Sequence, residues 1–224
     1  MQRSAKFLFL LFIFIIGPYC PALALALAVN SEQTIINAIQ KNYQSVRTFQ
    51  AEFEQKSFVK MISRTEIAQG NVQIKKPGKM KWVYNDPDPQ VLISNQKNLW
   101  FYTPEDKQVT KMPIESIYSS NTPALFLAGQ GILTNIFNVT EVITGKNIYT
   151  VTLSPKEAKS DLNRLILRAN KNNYQIIGVT VYDDLGNKTQ IKFKNIRINE
   201  QIAESIFDFK VPAGVEIQDF TPNP

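Results

Sequence analysis

Apolar residues follow two periods along this chain, and the change of period separates its elements. A helix is predicted over 31–46, with Ser31 as its N-cap, because apolar side chains recur there every three or four residues, at Ile35, Ile36, Ile39, Tyr43 and Val46. From residue 49 onward apolar and polar residues alternate, which is typical of half-buried strands. Strands are predicted over 49–54, 67–74, 79–84, 90–93, 98–102, 108–111, 149–153, 164–168, 176–182, 188–196, 207–211 and 215–217.

The segment 113–138 differs from the rest, because its apolar residues form short clusters broken by glycines. It predicts two short helices, the first capped by Asn121 or Thr122 with Pro123 at its first position. Short strands with few helices around them predict one antiparallel sheet that curls.

The amino-terminal segment predicts export. Arg3 and Lys6 precede an apolar run over 7–16, and the alternating Ala and Leu residues of 22–28 offer several A-x-A cleavage sites. The run is roughly ten residues, whereas a helix needs ~20 to cross a bilayer. We therefore expect 1–28 to be a signal peptide that is cleaved after Ala26 or Ala28, and 29–224 to form one domain. The alternative is an uncleaved amphipathic anchor.

Composition argues against an enzyme. The chain has no histidine, and its one cysteine, Cys20, lies in the segment that we expect to be removed. The mature chain would then lack the usual base at neutral pH, a thiol nucleophile and the commonest metal ligands. We expect no catalytic residue, no metal and no cofactor. The net charge of +6 falls to about +4 without Arg3 and Lys6, and the lysines are scattered, so no nucleic-acid partner is expected.

A curled sheet has a concave face that side chains, covering helices or a ligand must fill. The candidates for that face are large apolar residues, namely Phe49, Phe53, Met80, Trp82 and Tyr84. On the strand over 98–102, either Leu99 with Phe101 or Trp100 with Tyr102 shares their side, and alternation does not choose between the two pairs. Nor does the pattern distinguish a ligand cavity from a packed core.

Five segments, taken in order, resemble motifs of the LolA family of periplasmic outer-membrane lipoprotein carriers. Thr48–Gln55 is similar to the family's F-x-A-x-F-x-Q strand, and Gln69–Tyr84 to its G…K-R-P-x-x-F-x-W signature. Asn98–Pro104 resembles the L-W-x-Y-x-P strand and turn, and Asn121–Leu127 fits the middle helix. Phe207–Ile217 resembles the closing F-x-F-x-x-P-x-G-V-x-V. Each segment alone is weak, but their shared order makes the resemblance specific.

The resemblance implies a mainly β fold with some helix: an incomplete, half-open antiparallel β-barrel lidded by short helices. It also implies a monomeric periplasmic carrier, which takes triacylated lipoproteins from an inner-membrane ABC transporter to an outer-membrane receptor. Acyl chains cost ~0.8 kcal/mol per CH₂ to expose to water, so such a carrier must hide them. The expected cavity residues are Phe49, Phe53, Met80, Trp82, Tyr84, Trp100, Phe101, Tyr102, Leu125 and Phe126.

Two positions depart from the family pattern. Lys76 stands where the family has Arg before Pro77, and Met80 stands where it has an aromatic residue. In the family, that Arg holds the lid through hydrogen bonds to backbone groups, so the resemblance implies that Lys76 is the lid latch. Lysine keeps the charge but lacks the planar fork, so a weaker or different latch is expected.

Two other functions on the same fold stay open. One is a periplasmic domain that senses lipid or lipoprotein. The other is a lipidated outer-membrane receptor, which would require cleavage before Cys20, where the bulky Tyr19 is unfavourable.

Overall fold

Twelve strands form one sheet in the computed structural model, which describes residues 21–114, 133–157 and 162–221, and side chains from residue 32 onward. The strands are β1 (Thr48–Val59), β2 (Arg64–Lys75), β3 (Lys79–Asp86), β4 (Gln90–Asn95), β5 (Asn98–Thr103), β6 (Gln108–Pro113), β7 (Phe137–Thr144), β8 (Ile148–Pro155), β9 (Leu162–Asn170), β10 (Ile176–Asp183), β11 (Lys188–Ile198) and β12 (Glu216–Asp219).

The strand order is β12-β6-β5-β4-β3-β2-β1-β11-β10-β9-β8-β7. Neighbouring strands are antiparallel except for β12, which lies parallel to β6. Among the residues that the structure describes, the edge strands β12 and β7 do not pair with each other, so the sheet stays open. This confirms the predicted fold class, a mainly β protein built on an unclosed antiparallel sheet.

The sheet curls strongly around one face. Neighbouring strands lie ≈ 4.8 Å apart, so β3 and β11, three steps apart in the order, would be separated by about 14 Å in a flat sheet. Yet the rings of Trp82 on β3 and Phe193 on β11 lie only 6.4 Å apart, centroid to centroid. We call the face that carries these two rings the inner face and the opposite one the outer face.

Helix α1 (Pro21–Ser45) begins earlier than predicted. The prediction that Ser31 caps it is wrong, because the alanines and leucines of 22–28 are strong helix formers and continue the helix toward the amino end. The predicted apolar stripe does pack inward, since Ile36, Ile39, Tyr43 and Val46 are buried. A second helix, α2 (Leu133–Ile136), is one turn long. The predicted helix near Pro123 lies outside the described residues.

Two strand predictions need correction. Strand β7 was missed because a bulge between Val139 and Glu141 interrupts the alternation from which strands are recognised. Residues 207–211 do not form a strand. Instead, a 3-10 turn (Glu204–Phe207) leads into irregular chain that crosses the outer face.

Gly70 is required by the curvature of the sheet. The register of β2 against β3 shifts there, since Gln69 pairs with Asp86 but Gly70 pairs with Tyr84, so the glycine lies at a bulge. A Cβ atom on Gly70 would lie 1.9 Å from the Val83 carbonyl oxygen and 2.9 Å from the Phe53 ring. No side chain fits at this distance, so the close approach of β1, β2 and β3 depends on glycine.

Gly70→Ala should therefore lower the free energy of unfolding by ~3 kcal/mol, because Val83 or Phe53 must move to admit the methyl group. The matched control is Gly145→Ala, where the nearest atom would lie 3.1 Å from the new Cβ. That control should cost less than about 1 kcal/mol. Urea unfolding of both variants measures the difference, and equal costs would contradict the close packing at Gly70.

Candidate functional site

An aromatic cluster occupies the centre of the inner face. The Phe53 ring lies 5.0 Å from Trp82 and 5.0 Å from Tyr84, both edge-on, and Phe49 lies 5.2 Å from Phe193. Edge-to-face pairs of this kind are stabilising beyond their burial. Four of these five rings were candidates from the sequence. Phe193 was not among the candidates, although it lies between two lysines on β11 and this alternation indicates an inward-facing side chain.

Two polar groups lie within this cluster. The Tyr84 hydroxyl donates to Gln55 Oε1 at 3.1 Å, and burial raises the Tyr84 pKa to about 12. The indole Nε1–H of Trp82 is buried and has no hydrogen-bond acceptor within the described part of the chain. An unmet buried donor costs about 1–3 kcal/mol, so the aromatic cluster is built with one polar group unsatisfied.

Met80 lies beside the aromatic cluster and is completely buried. It pairs across the sheet with Ile74 and Ser94, while Trp82 pairs with Leu92. Leu92 is half-buried and packs against the core, and Phe101 pairs with Leu92 from the next strand. The inner face thus continues from Trp82 through Leu92 to Phe101.

Trp100 and Tyr102 lie elsewhere, which corrects the expectation that they line the same cavity as Trp82. Cross-strand partners share a face, and Trp100 pairs with Ile93 and Lys111, whose side chains project to the outer face. Both rings pack on Phe209, with centroids 6.1 Å and 5.9 Å away. Of the two pairs between which the alternation did not choose, Leu99 with Phe101 therefore lies on the inner face. Leu125 and Phe126 lie outside the described residues.

Lys76 ties the turn between β2 and β3 to the end of α1. Its Nζ donates to the Tyr43 carbonyl oxygen at 2.7 Å and lies 3.5 Å from the centroid of the Tyr43 ring. The aromatic face attracts the ammonium group, and the bond meets a carbonyl in the last turn of the helix. Burial lowers the Lys76 pKa to about 8. The neighbouring Lys75 and Lys79 instead bind Glu204 on the outer face.

Two further hydrogen bonds hold α1, one to a turn at this end of the sheet and one to α2. Asn42 Nδ2 donates to the Asn173 carbonyl oxygen in the turn after β9, and the Leu133 amide donates to Gln40 Oε1 at 2.7 Å. Since β2 ends and β10 begins at this end, α1 bridges turns from both halves of the sheet. Each of these two contacts is a hydrogen bond, and one such bond contributes little to stability.

The outer face carries a separate groove of about 590 Å³, next to the bulge between Gln50 and Glu52. Its lining is polar, since Gln73 and Arg197 both donate to Gln50 Oε1, at 3.3 Å and 3.4 Å. The groove and the aromatic cluster therefore lie on opposite sides of the sheet.

Over residues 21–114, 133–157 and 162–221, no three or more Cys, Asp and Glu side chains lie close enough together to hold a metal ion. No helix in the same ranges is both long and apolar enough to cross a membrane.

Comparison with known proteins gives the family. Residues 44–210 match the model of the family described as outer membrane lipoprotein carrier protein LolA. An outer-membrane lipoprotein carrier protein of Legionella pneumophila (strain Corby) is 31% identical over 188 residues, which cover 83% of this chain and 90% of that protein. One from Nitrosospira multiformis is 28% identical over 188 residues, covering 82% and 88%. The chain belongs to the LolA family.

A solved structure shows the same fold at greater distance. The crystal structure of an uncharacterized conserved protein from Thermus thermophilus matches with a TM-score of 0.53 at 11% identity, covering 84% of this chain and 99% of that one. At this identity the likeness concerns the fold alone.

The pKa of Lys76 predicts a pH dependence of stability. Lysine titrates near 10.5 when unfolded and Lys76 near 8 when folded, so between these values the unfolded chain holds a proton that the folded chain lacks. The free energy of unfolding therefore rises with pH across this window. Relative to Lys76→Met, the wild type should gain about 1 kcal/mol, a value reduced for solvent screening. Urea unfolding at both ends of the window measures the gain, and a constant difference would contradict it.

Proposed function

We propose that this chain is a periplasmic carrier that holds the acyl chains of lipoproteins against its inner face and delivers them to the outer membrane. The observation that carries this proposal is the Trp82 indole, a buried donor with no acceptor among the described residues, set in a cluster of aromatic rings. A ligand that is mostly hydrocarbon but carries a carbonyl oxygen suits this environment. The acyl esters of a triacylated lipoprotein have that chemistry.

The inner face must open to admit such a ligand. Ile74 and Met80 are fully buried, so acyl chains enter only when the elements that cover the inner face move. Lys76 holds α1 through one hydrogen bond and one ring contact, and losing a bond of ~1 kcal/mol changes an equilibrium several-fold. The contact between Lys76 and Tyr43 is therefore suited to a reversible latch. In this proposal α1 is the part of the lid that Lys76 holds.

The remaining parts of the proposal follow from family membership. The signal segment 1–28 would be removed on export, and the mature chain would act as a monomer in the periplasm. It would receive triacylated lipoproteins from an inner-membrane ABC transporter and pass them to an outer-membrane receptor, without catalysing a reaction. The family match favours this carrier role over a sensor or a lipidated receptor.

A pair of adjacent residues on β4 tests which face binds acyl chains. Leu92 and Val91 are both half-buried, but Leu92 pairs with Trp82 on the inner face and Val91 with Val83 on the outer face. Leu92→Gln should weaken binding of a fluorescent triacylated lipopeptide by about tenfold, because a polar amide replaces apolar contact surface. Val91→Gln, the matched control, should bind like the wild type. Fluorescence titration of the three purified proteins measures these affinities.

Two results would reject the proposal. One is the absence of lipopeptide binding by the folded wild-type protein. The other is an equal loss of affinity in both variants, since binding would then not depend on the inner face.

A further inference from the structure

The inner face becomes more exposed and more polar with distance from the end where Lys76 contacts α1. On β1, Phe53 is buried, whereas Gln55 and Ser57, the next two residues on the same side of the strand, are half-buried. On β3, Trp82 is buried and Tyr84, the next residue on its side, is half-buried. The inner face is therefore closed and apolar at the α1 end, whereas the opposite end is polar and reaches solvent.

The polar end of the inner face consists of Gln55, Ser57, Tyr84 and Thr189. Gln55 pairs across the sheet with the buried Ile191, and Ser57 pairs with Thr189, which places both on the inner side. None of these four side chains carries a charge at neutral pH. This end therefore suits a neutral polar ligand rather than an ion.

Three of these side chains form a chain of hydrogen bonds. The Tyr84 hydroxyl donates to Gln55 Oε1 at 3.1 Å, and Gln55 Nε2 donates to Ser57 Oγ, also at 3.1 Å. The Gln55 amide has a second N–H, and the Ser57 hydroxyl has a proton of its own. Neither of these two donors meets an acceptor in the described part of the chain, so both are available to a ligand that offers carbonyl oxygens.

These donors continue the path that begins at Trp82. The Phe53 ring lies 5.0 Å from the rings of both Trp82 and Tyr84, and Gln55 follows Phe53 on the same side of β1. Two residues along a strand span about 7 Å, so Gln55 lies roughly that far beyond Phe53. A ligand with one carbonyl at Trp82 would bring its neighbouring groups to Gln55 and Ser57.

We propose that the polar end of the inner face binds the link between the acyl chains and the polypeptide of a lipoprotein. An ester carbonyl accepts from Trp82, and the amide carbonyls that follow it accept from Gln55 and Ser57. This inference rests on the proposed carrier function and adds an orientation to it. The acyl chains lie toward α1, and the polypeptide leaves at the polar end.

The orientation satisfies both parts of the ligand. Hydrocarbon is stabilised where water is excluded, which is the condition at Met80 and Ile74. Amide groups are costly to bury without hydrogen-bond partners, and the half-buried polar end supplies such partners and access to water. The reverse orientation would place amide groups against fully buried apolar side chains.

Two fluorescent ligands distinguish binding of the link from binding of the acyl chains. One is a labelled triacylated lipopeptide, and the other is diphenylhexatriene, a hydrocarbon without any hydrogen-bond acceptor. Gln55→Met should weaken lipopeptide binding about fivefold, the effect of one lost hydrogen bond, and leave diphenylhexatriene binding unchanged. Ser57→Ala should weaken lipopeptide binding by a smaller factor, and it keeps the bond between Tyr84 and Gln55.

The matched control is Gln190→Met. Gln190 is half-buried like Gln55, but it pairs with Lys56 and so lies on the outer face at the same level of the sheet. This variant should bind both ligands like the wild type. Fluorescence titration of the four purified proteins gives the affinities, and the ratio of the two affinities removes any general effect of a variant on stability.

Two results would overturn this orientation. One is wild-type lipopeptide affinity in both Gln55→Met and Ser57→Ala, and the other is an equal loss of affinity for both ligands. In either case the wild type still binds lipopeptide, so the carrier proposal stands. Absence of lipopeptide binding by the folded wild type would instead reject the carrier proposal itself, and the orientation with it.

Discussion

The aromatic cluster on the inner face imposes the constraint on which the rest of the structure depends. Phe53, Trp82 and Phe193 come from separate strands of a sheet that does not close, so their contact requires strong curvature. Gly70 permits that curvature by leaving room where β1, β2 and β3 approach. The apolar surface gathered in this way must be hidden from water. The stripe of α1 contributes to that cover, and it is held at its end by Lys76.

The outer face of the same sheet is stabilised differently. The chain between β11 and β12 crosses it and buries Phe207 against β3 and β4. Lys75 and Lys79 both bind Glu204 at the start of this crossing, and their hydrogen bonds lower the Glu204 pKa to about 2. The crossing also gives Trp100 and Tyr102 a packing partner in Phe209. The sheet is thus packed on both sides, by this crossing on the outer face and by the apolar stripe of α1 on the inner face.

The sequence predicted most strands and the inner position of Phe49, Phe53, Met80 and Trp82, because alternation reports directly on which face a residue occupies. It did not assign Trp100 and Tyr102 to a face, because β5 carries apolar residues on both of its sides. The outer position of these two rings follows only from their packing against Phe209, which lies far away in the sequence. Strand β7 was not predicted, because a bulge interrupts its alternation of apolar and polar residues. The partner of Lys76 could not be predicted either, because it depends on where the end of α1 docks. The local pattern of apolar and polar residues indicates which face of the sheet a side chain occupies. Contacts between segments that are distant in the sequence become known only from the folded structure.

Binding of an acyl ester on the inner face can be distinguished from events on the outer face, because the two tryptophans of the chain, Trp82 and Trp100, lie on opposite faces. The most direct measurement is the pair of indole N–H signals in a ¹H–¹⁵N NMR spectrum, assigned with a Trp100→Phe variant and followed as a triacylated lipopeptide is added. We predict that the Trp82 signal shifts as its N–H gains a carbonyl acceptor, while the Trp100 signal stays in place. A shift of Trp100 alone, or of neither signal at saturating lipopeptide, would contradict it.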